Sequence, residues 1–206
     1  MLSTNMPQPP ILNSDSFPQA NPRTLEIITC HLLPKLKRGM QSEASLELGG
    51  FVLQESEHMR ALLLILEHPQ AFEKIHAQKA AWVLHRAFQA DQRGLFAHRE
   101  SLGRTLDATD DPSVLREILK ILANPVWIDL ESKAVRTELL HLALDLVHIP
   151  RFPIAVHYAA MGIIQTRIIS KQEALDASAA IETLMNNQPE QNPLYRYAAK
   201  LLEQLK

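Results

Sequence analysis

Several absences narrow the chemistry open to this chain. It holds a single cysteine, Cys30, so no disulfide can form within it, which fits a reducing compartment. Its six glycines are scattered, and neither a Gly-rich phosphate loop nor a Gly-x-Ser-x-Gly elbow occurs. No segment alternates polar and apolar residues with period two, so no sheet is expected. The longest strongly apolar run, Ala61 to Leu66, falls far short of the roughly 20 residues a bilayer crossing needs. No positive charge precedes Arg23 and no apolar signal core is present, so a cytoplasmic protein without a membrane partner is expected. A formal net charge of −2 lacks the basic footprint of a nucleic-acid binder and argues against such a partner.

What remains is ordinary soluble material. Of 206 residues, 46% are hydrophobic and 21% charged, enough for one domain with a sizeable core. Residues 1–22 carry Pro7, Pro9, Pro10, Pro18 and Pro22 among Gln, Asn and Ser. That composition buries too little apolar surface to offset ordering, so a flexible tail is expected. The alternative is a short docking strip around Ile11, Leu12 and Phe17.

From residue 23 to 206 the pattern is helical. Leu25, Ile28, Leu32 and Leu36 share a face, and Pro34 should kink or split that helix. Ser42 is the expected N-cap of the next, where Gly49-Gly50 reads either as a break or as a close packing point. Helices then follow over about 57–67, from near Phe72 through Phe88, and over about 93–108. Asp111 caps the sixth with Pro112 at its first position. Glu131–His148, a helix opened by Pro153, Lys171–Asn186 and a last helix from Pro193 complete an expected ten.

One helical pattern repeats. His76-Ala77-Gln78-Lys79-Ala80-Ala81-Trp82-Val83-Leu84-His85-Arg86-Ala87-Phe88 places apolar residues at three-and-four spacing. Aligning Ala81, Leu119, Ala160 and Ala199 gives spacings of 38, 41 and 39 residues, within the range of helical-pair repeats. The stretches Lys79-Ala80-Ala81-Trp82-Val83-Leu84, Tyr158-Ala159-Ala160-Met161 and Arg196-Tyr197-Ala198-Ala199-Lys200-Leu201-Leu202 resemble a group of small bacterial HEAT-like proteins. The resemblance covers about 42–206. It implies an all-α fold, a right-handed α–α superhelix of about five antiparallel helix pairs. Some members of that group carry the label adenylosuccinate lyase. That enzyme has a Gly-Ser-Ser-x-Met-Pro-x-Lys-type loop, and no Gly-Ser-Ser occurs here, so the label does not carry over.

Residues that could bear chemistry read mostly as packing or solvated surface. Glu55-x-x-His58, Glu73-x-x-His76 and Glu138-x-x-His141 match one unit of a di-iron site, which needs two such helices and two further inward carboxylates. No His-x-x-x-His pair occurs, and no metal or cofactor is expected. Glu138, His141, Asp145 and His148 form one helical stripe, explained by pairs three and four apart.

The remaining signal lies on the repeated helix opposite its core face. Register-equivalent positions hold Gln78, Arg116, His157 and Arg196, then Trp82, Lys120, Met161 and Lys200, with His85 one turn beyond Trp82. In helical solenoids these second helices line the concave binding side. Arg116 could instead pair with a nearby acid such as Asp111. The expectation is a non-enzymatic scaffold or adaptor, binding another protein through Gln78, Trp82, His85, Arg116, Lys120, His157, Arg196 and Lys200. The alternative is a HEAT-like DNA-binding enzyme of the alkylated-base glycosylase kind, which needs a basic face with an aromatic and a carboxylate at its centre.

Overall fold

Proline or a capping side chain marks the start of the helices that begin at Pro22, Pro112, Lys133, Ile154, Lys171 and Pro193. The computed structural model describes residues 17, 20–168 and 170–205, and these form α-, 3-10- and π-helix with no strand among them. They fall into two compact units, one of residues up to 90 with 100–109, the other of 91–99 with residues from 110 on.

The first unit opens with α1, Pro22–Glu26, where the Asn21 side chain accepts from the Thr24 amide at 2.8 Å. A π-helical stretch, Ile27–Leu32, continues it, and the chain leaves helix before Pro34, which has no N–H to donate. Helix α2 covers Ser42–Val52; its N-cap is Gln41, so Ser42 is the first helical residue and its hydroxyl caps nothing. The helix runs unbroken through both glycines. A Cβ on Gly49 would lie 3.1 Å from the Arg86 Cβ and the Ala87 amide nitrogen, whereas Gly50 faces open space. Gly49 is therefore the close packing point, against α4, Lys74–Ala90.

Helix α3, Ser56–Glu67, lies at the centre of this unit. Every residue from Ala61 to Leu66 is buried, as a helix apolar all round requires. It packs against α1, α2 and α4. A 3-10 turn, Pro69–Ala71, separates it from α4. Phe17 is 1% exposed, stacked on Phe72 and edge-on to His68, so this much of the N-terminal stretch is docked. Ile11 and Leu12 lie outside the described residues. Ten of the eleven residues of 99–109 belong to this unit, and the α5 helix there spans Arg99–Ala108. The expected helix over 93–108 is thus divided, because Gly94–His98 forms a 3-10 turn in the second unit.

In the second unit α6 covers Pro112–Leu122, and the Asp111 carboxylate accepts from the Ser113 and Val114 amides at 2.8 and 3.3 Å. A 3-10 segment, Pro125–Leu130, carries Trp127, 1% exposed, whose indole N–H donates to the Gln92 carbonyl at 2.6 Å. Then come α7, Lys133–His148; α8, Ile154–Arg167; α9, Lys171–Asn186; and α10, Pro193–Leu205. Ser170 and Glu173 build a reciprocal capping box at the start of α9. Helices α7 and α8 pack as one consecutive pair and α9 and α10 as the next, with α8 touching α6 and α10 and α7 touching α9. Those neighbours explain why α8 is apolar on both sides: Met161 and Ile164 are fully covered.

Glu131 lies outside α7, just before the Ser132 cap, and its side chain is buried. Arg167, at the end of α8, meets it through two nitrogens, Nη2 to Oε1 at 2.7 Å and Nε to Oε2 at 3.3 Å. The two side chains are 0% and 1% exposed. A sealed ion pair of this kind holds mainly because each charge would be stranded without the other.

Candidate functional site: the second helices and their groove

The residues expected at the binding face divide between the units. Gln78, Trp82 and His85 belong to α4 in the first, and Arg116, Lys120, His157, Arg196 and Lys200 to the second. Trp82 is half-buried, with the Lys79 ammonium 4.8 Å and the Arg86 guanidinium 5.8 Å from its ring centre. Gln78 and His85 flank it along the helix and are also half-buried.

In the second unit Arg196 and Lys200 are exposed on α10. The carboxylate that Arg116 meets is its neighbour Glu117, with Nε at 2.7 Å; Lys120 reaches the same oxygen at 3.4 Å. Glu117 is itself buried, so these two cations let its charge sit at the protein edge.

His157 differs from the rest. It is 1% exposed, and neither ring nitrogen has a hydrogen-bond partner. Burial pushes its pKa down; the Phe152 backbone, acting without a well-formed hydrogen bond, offsets part of this. His157 is a neutral core residue and is not presented on the surface of its unit. Repeat register placed it opposite the core face, but that side of α8 is packed as well, and the face left open runs through Ala155, Tyr158, Gly162 and Gln165.

The helices α6, α8 and α10 enclose an open groove of about 330 Å³. On α8, Ala155, Tyr158, Ala159 and Gly162 follow the spacing of one helical face. Three of these four are small, and with Ala123, the residue that caps the end of α6, they form a low floor. The approach is close, since a Cβ on Gly162 would sit 3.3 Å from the Ala123 Cβ. Tyr158 and Tyr197 wall the groove, edge to face with ring centres 5.0 Å apart. The Tyr197 hydroxyl donates to Gln165 at 3.3 Å, and Gln165 in turn donates to Gln204 at 2.9 Å. Burial, and then the neighbouring Tyr158, raise the Tyr197 pKa, which keeps the phenol neutral. Lys120 and Asn124 complete the rim.

Of the eight expected residues only Lys120 lines this groove. The tyrosines went unread, although they occupy one register position in successive repeats, two residues before Ala160 and Ala199. The same aromatic at the same repeat position was the available signal.

The Glu-x-x-His units do not converge. Glu55 meets Arg23, while His58 stacks on Phe51 at 4.0 Å between ring centres and its Nδ1 contacts the Phe51 carbonyl at 2.9 Å. The stripe of Glu138, His141, Asp145 and His148 is exposed throughout. Among the described residues no three His, Cys, Asp or Glu side chains gather into a metal site, and no helix is long and apolar enough to cross a membrane. Comparison with known protein families, curated proteins and solved structures found no match for this chain.

Proposed function

We propose that the helix pairs are HEAT-like repeats of a right-handed superhelix, and that the protein is a non-enzymatic scaffold or adaptor. Its docking point for another protein is the groove between α6, α8 and α10. The observation supporting this most directly is the pairing of Tyr158 and Tyr197 over a floor of small residues, with Lys120 at the rim. Tyrosine offers a large, rigid contact area with a polar tip and recurs at the energetic centres of interfaces. The complementary ligand is a segment with one apolar side chain for the groove and a carboxylate for Lys120. A base-removing enzyme fits less well, because no carboxylate lines the groove and the one beside it, Glu117, is bound by Arg116 and Lys120.

The test is site-specific photocrosslinking from position 158, followed by capture of the same partner with an Ala155→Trp variant. Ala155 is half-buried at the groove edge, so an indole there fills the space from outside. The reading requires a single crosslinked protein whose capture falls at least tenfold in Ala155→Trp, with the melting temperature unchanged. Salt-dependent binding of duplex DNA, abolished by the same variant, would favour the glycosylase-like alternative.

A further inference from the structure

A second concavity lies in the first unit. It measures about 560 Å³ and is lined by Lys37, Arg38, Glu73, Lys74, Ile75 and His76. That volume suits a small molecule. Three of the six lining residues are permanent cations and one is a carboxylate, in a chain whose formal charge is −2. The excess of positive charge is therefore local, on exposed side chains around an open concavity.

The backbone explains how the cations come together. Gly39 takes φ +84°, a conformation that L side chains rarely adopt, and the Met40 amide donates to the Lys37 carbonyl at 3.2 Å. This closes a tight turn of the kind that needs glycine at its third position. The turn places Lys37 and Arg38 beside the start of α4, where no acidic residue occupies the first turn. Lys74 already has another interaction, which leaves anion contact chiefly to Lys37 and Arg38.

His76 belongs to the same lining. Its Nδ1 is buried without a hydrogen-bond partner in a side chain that lines the cavity. Burial lowers the His76 pKa while Glu73 pulls the other way, so a second anion nearby would favour its protonated, donating form.

We propose that this cavity binds a small phosphate-bearing molecule, held by Lys37 and Arg38 and completed by His76. Phosphate matches this set because a guanidinium can meet two of its oxygens while an ammonium neutralises the remaining charge. Glu73 is the one carboxylate in the lining, and its charge opposes an anionic ligand. The site lies in a different unit from the tyrosine groove and stands or falls independently of it.

The experiment titrates the full chain with inorganic phosphate, and in parallel with glycerol phosphate, at ionic strength held constant with chloride. NMR follows the His76 ring and the amides of Ile75, His76 and Ala77. Saturable shifts are expected, with the His76 pKa moving up as the site fills. Tighter binding of glycerol phosphate identifies an organic phosphate as the ligand; equal binding identifies the free anion. Arg38→Gln and Lys37→Gln should each weaken binding roughly tenfold, the scale of one charge-assisted hydrogen bond, with unchanged melting temperature. Glu73→Gln should tighten it. Linear, unsaturable shifts, or two charge-removing variants that bind like the parent, overturn the proposal.

Discussion

The two tryptophans occupy regions built on opposite plans. Trp127 sits in a short 3-10 segment of the second unit, sealed by Phe96 edge-on at 5.4 Å, its N–H satisfied by a carbonyl 35 residues away. Trp82 sits mid-helix in the first unit, half-buried under the cations of Lys79 and Arg86. The first ring organises packing among segments distant in sequence. The second is organised by its own helix, one turn above and below. A side chain's weight in the fold thus follows from where its partners come from along the chain, not from its residue type.

The strongest way to break that contrast is at Trp127. Trp127→Ala should cost about 3–5 kcal/mol in urea unfolding, as truncating a sealed aromatic does. A loss under about 1 kcal/mol would make the two rings equivalent. Arg167→Met should cost a comparable roughly 3–5 kcal/mol, because it leaves the Glu131 carboxylate buried without its partner. Adding Glu131→Leu should recover most of that loss, and a double variant as unstable as the single one would assign the cost to packing instead. Overpacking is the next step down: Ala81→Leu and Ala160→Leu, both at fully buried positions, should each cost roughly 1–3 kcal/mol. Unchanged midpoints in both would mean that the repeat alignment misplaces the helix contacts.

Acid should act with a definite sign. Burial holds the His157 pKa below its ordinary 6.5, so the folded unit keeps the ring neutral. Above that value neither state is protonated and stability does not depend on this residue. As pH falls through 6.5 the unfolded chain binds a proton that the folded unit refuses, and stability drops until the lowered folded pKa is reached. His76 contributes with the same sign. His157→Phe should flatten part of this slope in melting curves recorded across the range; an identical slope would place the titration elsewhere. The smallest effect belongs to Trp82→Ala, expected to change stability by about 1 kcal/mol or less, the scale of its cation contacts. A loss of roughly 3 kcal/mol would show that Trp82 is core.

Features written in neighbouring residues were legible from the chain. Asp111-Pro112 starts α6, Pro193 starts α10, and Lys171–Asn186 matches α9 end to end. Ala81, Leu119 and Ala160 are fully buried as their periodicity implies. At the last repeat the pattern slips by one: Ala198 is buried and Ala199 half-buried, a shift that two adjacent alanines cannot reveal. Features that depend on distant partners stayed hidden. Glu131 looked like the first residue of an amphipathic helix because nothing near it announces Arg167, 36 residues on. His157 was assigned to the open side by register alone, which does not show that α8 is packed between α7, α6 and α10. The groove was invisible for a related reason, since empty space is a property of three helices at once and is written in none of them.

Gly49 and Gly50 were indistinguishable as letters, and the structure gives them different evolutionary prospects. Position 50 faces open space, where alanine or a longer side chain adds helix propensity without meeting anything. At position 49 even an alanine Cβ requires α2 and α4 to give by a few tenths of an ångström. Drift can therefore erase the second glycine and leave the fold untouched, while the first persists as long as the two helices keep their distance. Gly49 is thus held by the spacing of two helices at the Arg86-Ala87 step, whereas nothing within 4 Å constrains a Cβ at Gly50.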